Sequence, residues 1–85
     1  MEKIKKLDKT MVVKNVRQLI FMSRFTNEEL AEKLDVSTRL VYHWQKGTRI
    51  PNIDNIYGLS QLFQVSIESI LFWEYFLLFE QLFIV

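Results

Sequence analysis

Between Thr26 and Gly47 the chain spells two short helices with only Asp35-Val36-Ser37 between them. Thr26-Asn27-Glu28-Glu29 is a capping box: the threonine hydroxyl can accept from the backbone N–H three residues on, and Glu29 can reach back to the threonine N–H. A helix is therefore expected from Thr26 to about Leu34, with Leu30, Ala31 and Leu34 inward. Ala31 is small where a neighbouring helix would come close. Ser37 is a good N-cap for a second helix over Thr38–Lys46, and Gly47 stands where a left-handed residue ends it. On that helix Val41 and Trp44 are three apart and face the core with Leu40 beside them. Thr38, Arg39, Tyr42, His43 and Lys46 must then project outward.

The flanks read as more helix. Val12, Val16, Leu19 and Ile20 form an amphipathic stripe over residues 10–23, with Thr10 or Asp8 as N-cap. After the loop Thr48–Asn52, where Pro51 disfavours helix at Ile50, a further helix is expected from Asn52 or Asp54 to about Phe63. Its inner side would carry Ile53, Ile56, Leu59, Leu62 and Phe63. Ser66 would cap a fifth helix from Ile67 onward, although the Phe, Ile and Val content of the final residues also suits a strand. Eighty-five residues with 49% hydrophobic content, 2 glycines and 1 proline make one domain rather than a linker or a disordered chain. The absence of cysteine excludes disulfides and thiolate metal sites, so packing alone must hold it, helped by self-association. Residues 1–10 are charged with no apolar run after them, unlike a signal peptide, and a reducing, cytoplasmic home is expected.

The net charge of +1 hides a polarity along the chain: all 11 basic residues lie at or before Arg49, and the residues after it carry four acids and no base. Such a split is expected where the first part faces a polyanion, although small domains also reach it by chance.

The pattern is specific over residues 15–71. Val16-Arg17-x-Leu19 is followed by Thr26-Asn27-Glu28-Glu29-Leu30-Ala31-x-x-Leu34-x-Val36-Ser37 and by Val41-x-x-Trp44-x-x-Gly47-x-x-x-Pro51. Leu59-x-x-Leu62-Phe63-x-Val65-Ser66-x-x-x-Ile70-Leu71 completes it, and the whole resembles the Cro/phage-repressor, or Xre-like, helix-turn-helix family. The resemblance implies an all-α, five-helix lambda-repressor-like DNA-binding domain over residues 10–71, preceded by a basic arm (1–9) and followed by an apolar segment (72–85). It implies that the helix at about 38–46 enters the major groove while the helix at about 26–34 crosses the backbone. Base contacts are then expected from Thr38, Arg39, Tyr42 and His43, and backbone contacts from Asn27, Ser37, Lys46, Thr48 and Arg49. For Arg39 and His43 the alternative is a solvated surface side chain.

Several positions depart from the family. Many relatives carry a buried Arg–Glu pair where this chain has Ile20 and Gln45; losing both charges together strands neither. Asn27 stands where relatives usually have Gln, used for phosphate or for bracing the recognition helix. Arg24 and Asp35 stand where glycine with positive φ is common, a conformation Asp tolerates better than Arg, so the first helix connection is expected to be rearranged. Tyr42 replaces a small polar residue, which prevents transfer of any relative's target sequence.

His43 is the only histidine and has no companions for a metal site or a catalytic triad. With no Gly-rich phosphate loop or paired carboxylates either, no enzyme and no cofactor are expected. Lys3, Lys5, Lys6 and Lys9 could touch phosphates or remain a solvated terminus.

The last segment, FWEYFLLFEQLFIV over residues 72–85, would be apolar over most of its circumference as a helix. A second subunit is the economical cover, through Phe72, Tyr75, Phe76, Phe79, Leu82 and Phe83. Membrane insertion is disfavoured by Glu68, Glu74 and Glu80 within residues 67–85. The expected function is a sequence-specific double-stranded DNA-binding transcriptional regulator, a repressor acting as a homodimer on a palindromic operator. The competing reading is an antitoxin-like protein-interaction module whose protein partner binds the tail.

Overall fold

The computed structural model describes residues 3–4 and 6–72, which form five α-helices, with no strand among the described residues. The first, α1 (Lys9–Met22), begins at Asp8, whose carboxylate accepts the N–H of Thr10 at 3.0 Å and of Met11 at 3.3 Å. Of the two possible caps the carboxylate is used, so Lys9 joins the helix. At the other end Ser23 leaves in extended geometry (φ −74°, ψ 154°). Arg24 is not among the residues of positive φ, so the connection to the next helix avoids the strain an arginine would bear there.

The second helix, α2 (Asn27–Leu34), has both halves of its capping box: Glu29 N–H donates to Thr26 Oγ1 at 3.1 Å, and Thr26 N–H donates to Glu29 Oε1 at 3.0 Å. It ends at Asp35 in the left-handed region (φ 55°). The turn through Val36 and Ser37 leads to α3 (Thr38–Lys46), capped by Ser37 Oγ accepting from Leu40 N–H at 3.0 Å. Asn52 caps α4 (Ile53–Phe63) in the same way through Asn55 N–H at 2.9 Å. That helix ends at Gln64, a left-handed residue (φ 56°) that no turn signature announces. Ser66 Oγ then accepts from Ser69 N–H at 3.0 Å to start α5 (Ile67–Phe72).

These caps fix where each apolar stripe points, and the stripes meet in one core. It comprises Val12, Val16, Leu19 and Ile20 of α1, Leu30 and Ala31 of α2, Val41 and Trp44 of α3, Ile56 and Leu59 of α4, and Ile70 of α5. Leu34, Leu40, Leu62 and Phe63 are half-buried against it. Ile53 is a correction: expected on the inner face of α4, it is 63% exposed. It is the first residue of the helix, and the core is reached one turn later at Ile56.

Two close approaches tighten the bundle. A Cβ at Gly58 of α4 would lie 3.0 Å from Leu34 Cδ2 of α2, so the small residue at this crossing is the glycine. Asn15 of α1, fully buried, donates from Nδ2 to the backbone oxygens of Ile70 (2.8 Å) and Ser69 (3.3 Å), tying the first helix to the last. That polar side chain sits inside because α5 supplies the acceptors. Residue 72 is the last one described. The expectations for Tyr75, Phe76, Phe79, Leu82 and Phe83, and the choice of helix or strand there, lie outside the described residues. Among the described residues no helix is long and apolar enough to cross a membrane.

Candidate nucleic-acid interface

The outward surface of α3 follows from what the helix buries. Val41 and Trp44 are 0% and 1% exposed, so the opposite side must carry Thr38, Arg39, Tyr42 and Lys46, all of them exposed. His43 and Gln45 lie at the margins and are half-buried. The anchor is firm: truncating a buried tryptophan typically costs about 3–5 kcal/mol. The indole Nε1–H of Trp44 has no hydrogen-bond partner among the described residues, so its hold is apolar contact alone.

Three elements outside the helix set its orientation. Its start is held by Ser37 Oγ, which accepts from Leu40 N–H and keeps its own proton available for an external acceptor. Its end is a Schellman turn, in which Gly47 N–H donates to Trp44 O at 3.1 Å and Thr48 N–H to His43 O at 3.0 Å. Gly47 is there for two reasons. Its φ is +74°, and an added Cβ would press to 3.1 Å against both Arg17 Cδ and Val13 Cγ1 of α1. Arg17 lies across this end and donates from Nε to Gln45 O at 2.9 Å, placing a cation at the negative pole of α3.

The pair of uncharged residues singled out in the sequence resolves unexpectedly. Gln45 Nε2 donates to Asn27 Oδ1 at 2.8 Å, and Asn27 Nδ2 donates to Gln45 Oε1 at 3.0 Å. The amide of Asn27 thus braces α3, one of the two uses open to this position, while Ile20 is buried in the core. Arg17 and Asn15 drew no notice in the sequence as functional or bracing residues. An arginine beside an apolar stripe looks like any solvated charge until the carbonyl it meets is known.

The candidate contacts fall into two groups. Ser37, Arg39, Leu40, His43 and Arg49 line one hollow of about 430 Å³ beside α3. Two arginines and a serine hydroxyl thus border that hollow, donors of the kind an anionic oxygen takes. Elsewhere on the outward face, Lys46 Nζ lies 5.1 Å from the centroid of the Tyr42 ring, a cation–π contact that holds the exposed phenol against the helix. The rings of Tyr42 and His43 meet edge-on with centroids 6.4 Å apart. Thr48 is occupied within the protein: its Oγ1 donates to His43 O at 3.2 Å and lies 2.8 Å from His43 Nδ1. Thr38 lines neither group. Among the described residues no cluster of three or more His, Cys, Asp or Glu could hold a metal ion.

Residues 14–70 match the family described as Helix-turn-helix. Over 56 residues the chain is 34% identical to the HTH-type transcriptional activator BcrR of Enterococcus faecalis, a match covering 66% of this chain. It spans about 28% of the length of that relative. The fold is similar to the solution structure of the SOS-response transcriptional repressor LexA from Eubacterium rectale. The TM-score is 0.67 at 25% identity, over 81% of this chain and 73% of that one.

Proposed function

The chain belongs to the helix-turn-helix family, and we propose that it is a DNA-binding transcription regulator that reads duplex DNA with α3 in the major groove. The observation that carries this is the outward face of α3. It presents Arg39, Tyr42 and Lys46 together, with half-buried His43 at the margin and Arg49 beside them, on a helix whose braces use none of the three exposed side chains. Arg39, in the first turn, reaches a guanine edge through N7 and O6, while Thr38, Tyr42 and His43 contact neighbouring bases. Ser37, Lys46 and Arg49 meet phosphates, and Asn27 positions the helix while the second hydrogen of its amide is left for a phosphate.

The protein acts as a homodimer on a palindromic site and represses by occlusion. Support for the dimer comes from Phe72, 60% exposed at the end of the described chain, where a further run of apolar residues begins. Helix α5 packs on α1 and α4, whereas α3 packs on α1 and α2, so self-association at the end of α5 leaves α3 free. Two such helices about 34 Å apart match successive major grooves.

Selection of bound sequences from a randomised duplex pool tests this. The expected result is a two-fold symmetric consensus bound far above random duplex. Binding that stays at the level of random duplex at low salt would overturn the reading.

A further inference from the structure

The hydroxyl of Thr48 makes two contacts with the same residue and has one proton to serve them. The backbone oxygen of His43, 3.2 Å away, can only accept, so that contact takes the hydroxyl proton. His43 Nδ1, at 2.8 Å, must then be the donor for the other contact. Both contacts are satisfied only when Nδ1 carries hydrogen, which in the neutral ring leaves Nε2 bare. The turn enforces the arrangement: Gly47 in the left-handed region folds Thr48 back, and Thr48 N–H is itself bonded to His43 O at 3.0 Å. The rest of the ring is bounded by Tyr42 and by the hollow it shares with Arg39 and Arg49.

We infer that Thr48 is a specificity-determining positioning residue: by holding His43 as the Nδ1–H tautomer it makes Nε2 a hydrogen-bond acceptor toward the groove. This rests on the reading of α3 as the recognition helix. A bare Nε2 accepts from the exocyclic amino group of adenine N6 or cytosine N4 and is repelled by the acceptors N7 and O6 of guanine. The opposite tautomer would reverse that preference. Thr48 thus sets the base that His43 reads while touching no base itself, much as outer partners fix the tautomer of other functional histidines.

Because the chain has a single histidine, the tautomer can be read without ambiguity from the ring nitrogens of the free, uniformly ¹⁵N-labelled protein. The spectrum is recorded at about pH 8, above the ordinary imidazole range near 6.5. The expected result is a pyrrole-type signal at Nδ1 and a pyridine-type signal at Nε2. Thr48→Val should shift the ring toward the Nε2–H form that imidazole favours in water, and Thr48→Ser should retain the native pattern. With a randomised duplex pool, Thr48→Val should lose about 2- to 10-fold of its discrimination for adenine or cytosine at one position per half-site, the worth of one hydrogen bond. Thr48→Ser should keep that discrimination. A native ring in the Nε2–H form would overturn the inference while leaving DNA binding intact. So would an unchanged base preference in Thr48→Val. Absence of selective binding in the native protein would instead remove the proposed function, and this inference with it.

Discussion

Asn27 and Gln45 face each other amide to amide, each donating one hydrogen bond and accepting one, across the angle between α2 and α3. Neither residue is charged, so the brace works without the desolvation cost of an ion pair. It also dictates what Gln45→Glu would do. A carboxylate could still accept from Asn27 Nδ2 but would leave Asn27 Oδ1 facing an oxygen, and it would add negative charge at the C-terminal pole of α3.

Removing either amide should therefore cost about 1 kcal/mol, and the two losses should not add. A double-mutant cycle of Asn27→Ala and Gln45→Ala, followed by denaturant unfolding, is expected to return a coupling of about 0.5–1.5 kcal/mol. A coupling near zero would mean that the amides do not meet in solution.

Arg39 and the cations at the far end of α3 should separate in their effects. Arg39→Ala is expected to relax preference at one base pair, with a loss of about 1–3 kcal/mol on the best sequence. Lys46→Ala and Arg49→Ala should weaken all sequences alike and lower the salt slope by about one each. Equilibrium binding to matched and mismatched duplexes over a salt series measures both.

Backbone geometry at the two helix ends predicts opposite responses. Gly47→Ala forces a Cβ into a left-handed residue and against Arg17 and Val13, and should cost about 1–2 kcal/mol or more. Gln64→Gly relieves a left-handed residue whose side chain is exposed, and should gain a few tenths to about 1 kcal/mol. Thermal unfolding of the two variants should move the midpoint down and up respectively.

Acidification should loosen the start of α2. The Thr26 backbone N–H, then the Thr26 side chain, and more weakly Lys33, hold the Glu29 carboxyl below its ordinary 4.5 against a small opposing effect of desolvation. A carboxyl depressed by folding stabilises fully above its unfolded value. That contribution drains away as pH falls below about 4.5 and through the lower folded value. Glu29→Gln should flatten the stability profile in that window, as followed by helical circular dichroism under partly denaturing conditions.

Self-association through the end of the chain is tested by sedimentation at micromolar concentration. The 85-residue chain is expected to be a dimer, and truncation after Leu71 should give a monomer with weaker affinity for a two-fold site. A few hundred Å² of apolar surface left in water would cost several kcal/mol at about 25 cal/mol per Å². A monomeric 85-residue chain would remove the homodimer from the proposal.

Most of the scaffold was legible because its signals are local. Thr26 with Glu29, Ser37, Asn52 and Ser66 announce helix starts through hydrogen bonds that close within three residues, and the spacing of Val41 and Trp44 fixes the outward side of α3. Gly47 was readable as a left-handed residue from its type, and Asp35 from standing where the resembled family commonly has glycine. Gln64 was not, since glutamine has no preference that signals it. Ile53 followed the apolar period yet lies beyond the edge of the core, because periodicity gives direction and not depth. The braces made by Asn15 and Arg17, and the tie of Thr48 to His43 at a residue expected only as a backbone contact, went unread for another reason. The first two meet backbone oxygens 28 to 55 residues away, and the third folds back through a turn, so what they bond depends on where other elements end.

The braces on α3 also bear on how such a protein can diverge. Arg17, Asn27, Gln45, Gly47, Val41 and Trp44 hold the helix, whereas Thr38, Arg39 and Tyr42 make none of those contacts. On the proposed reading of α3, substitutions at the latter three positions explore new target sequences at little cost to folding, each on its own. His43 is different, since its ring is tied to Thr48. If α3 reads DNA as proposed, a lineage changing the base read by His43 must alter both residues together or pass through an intermediate that reads neither well, so along this face three positions are free to drift singly and one evolves only as half of a pair.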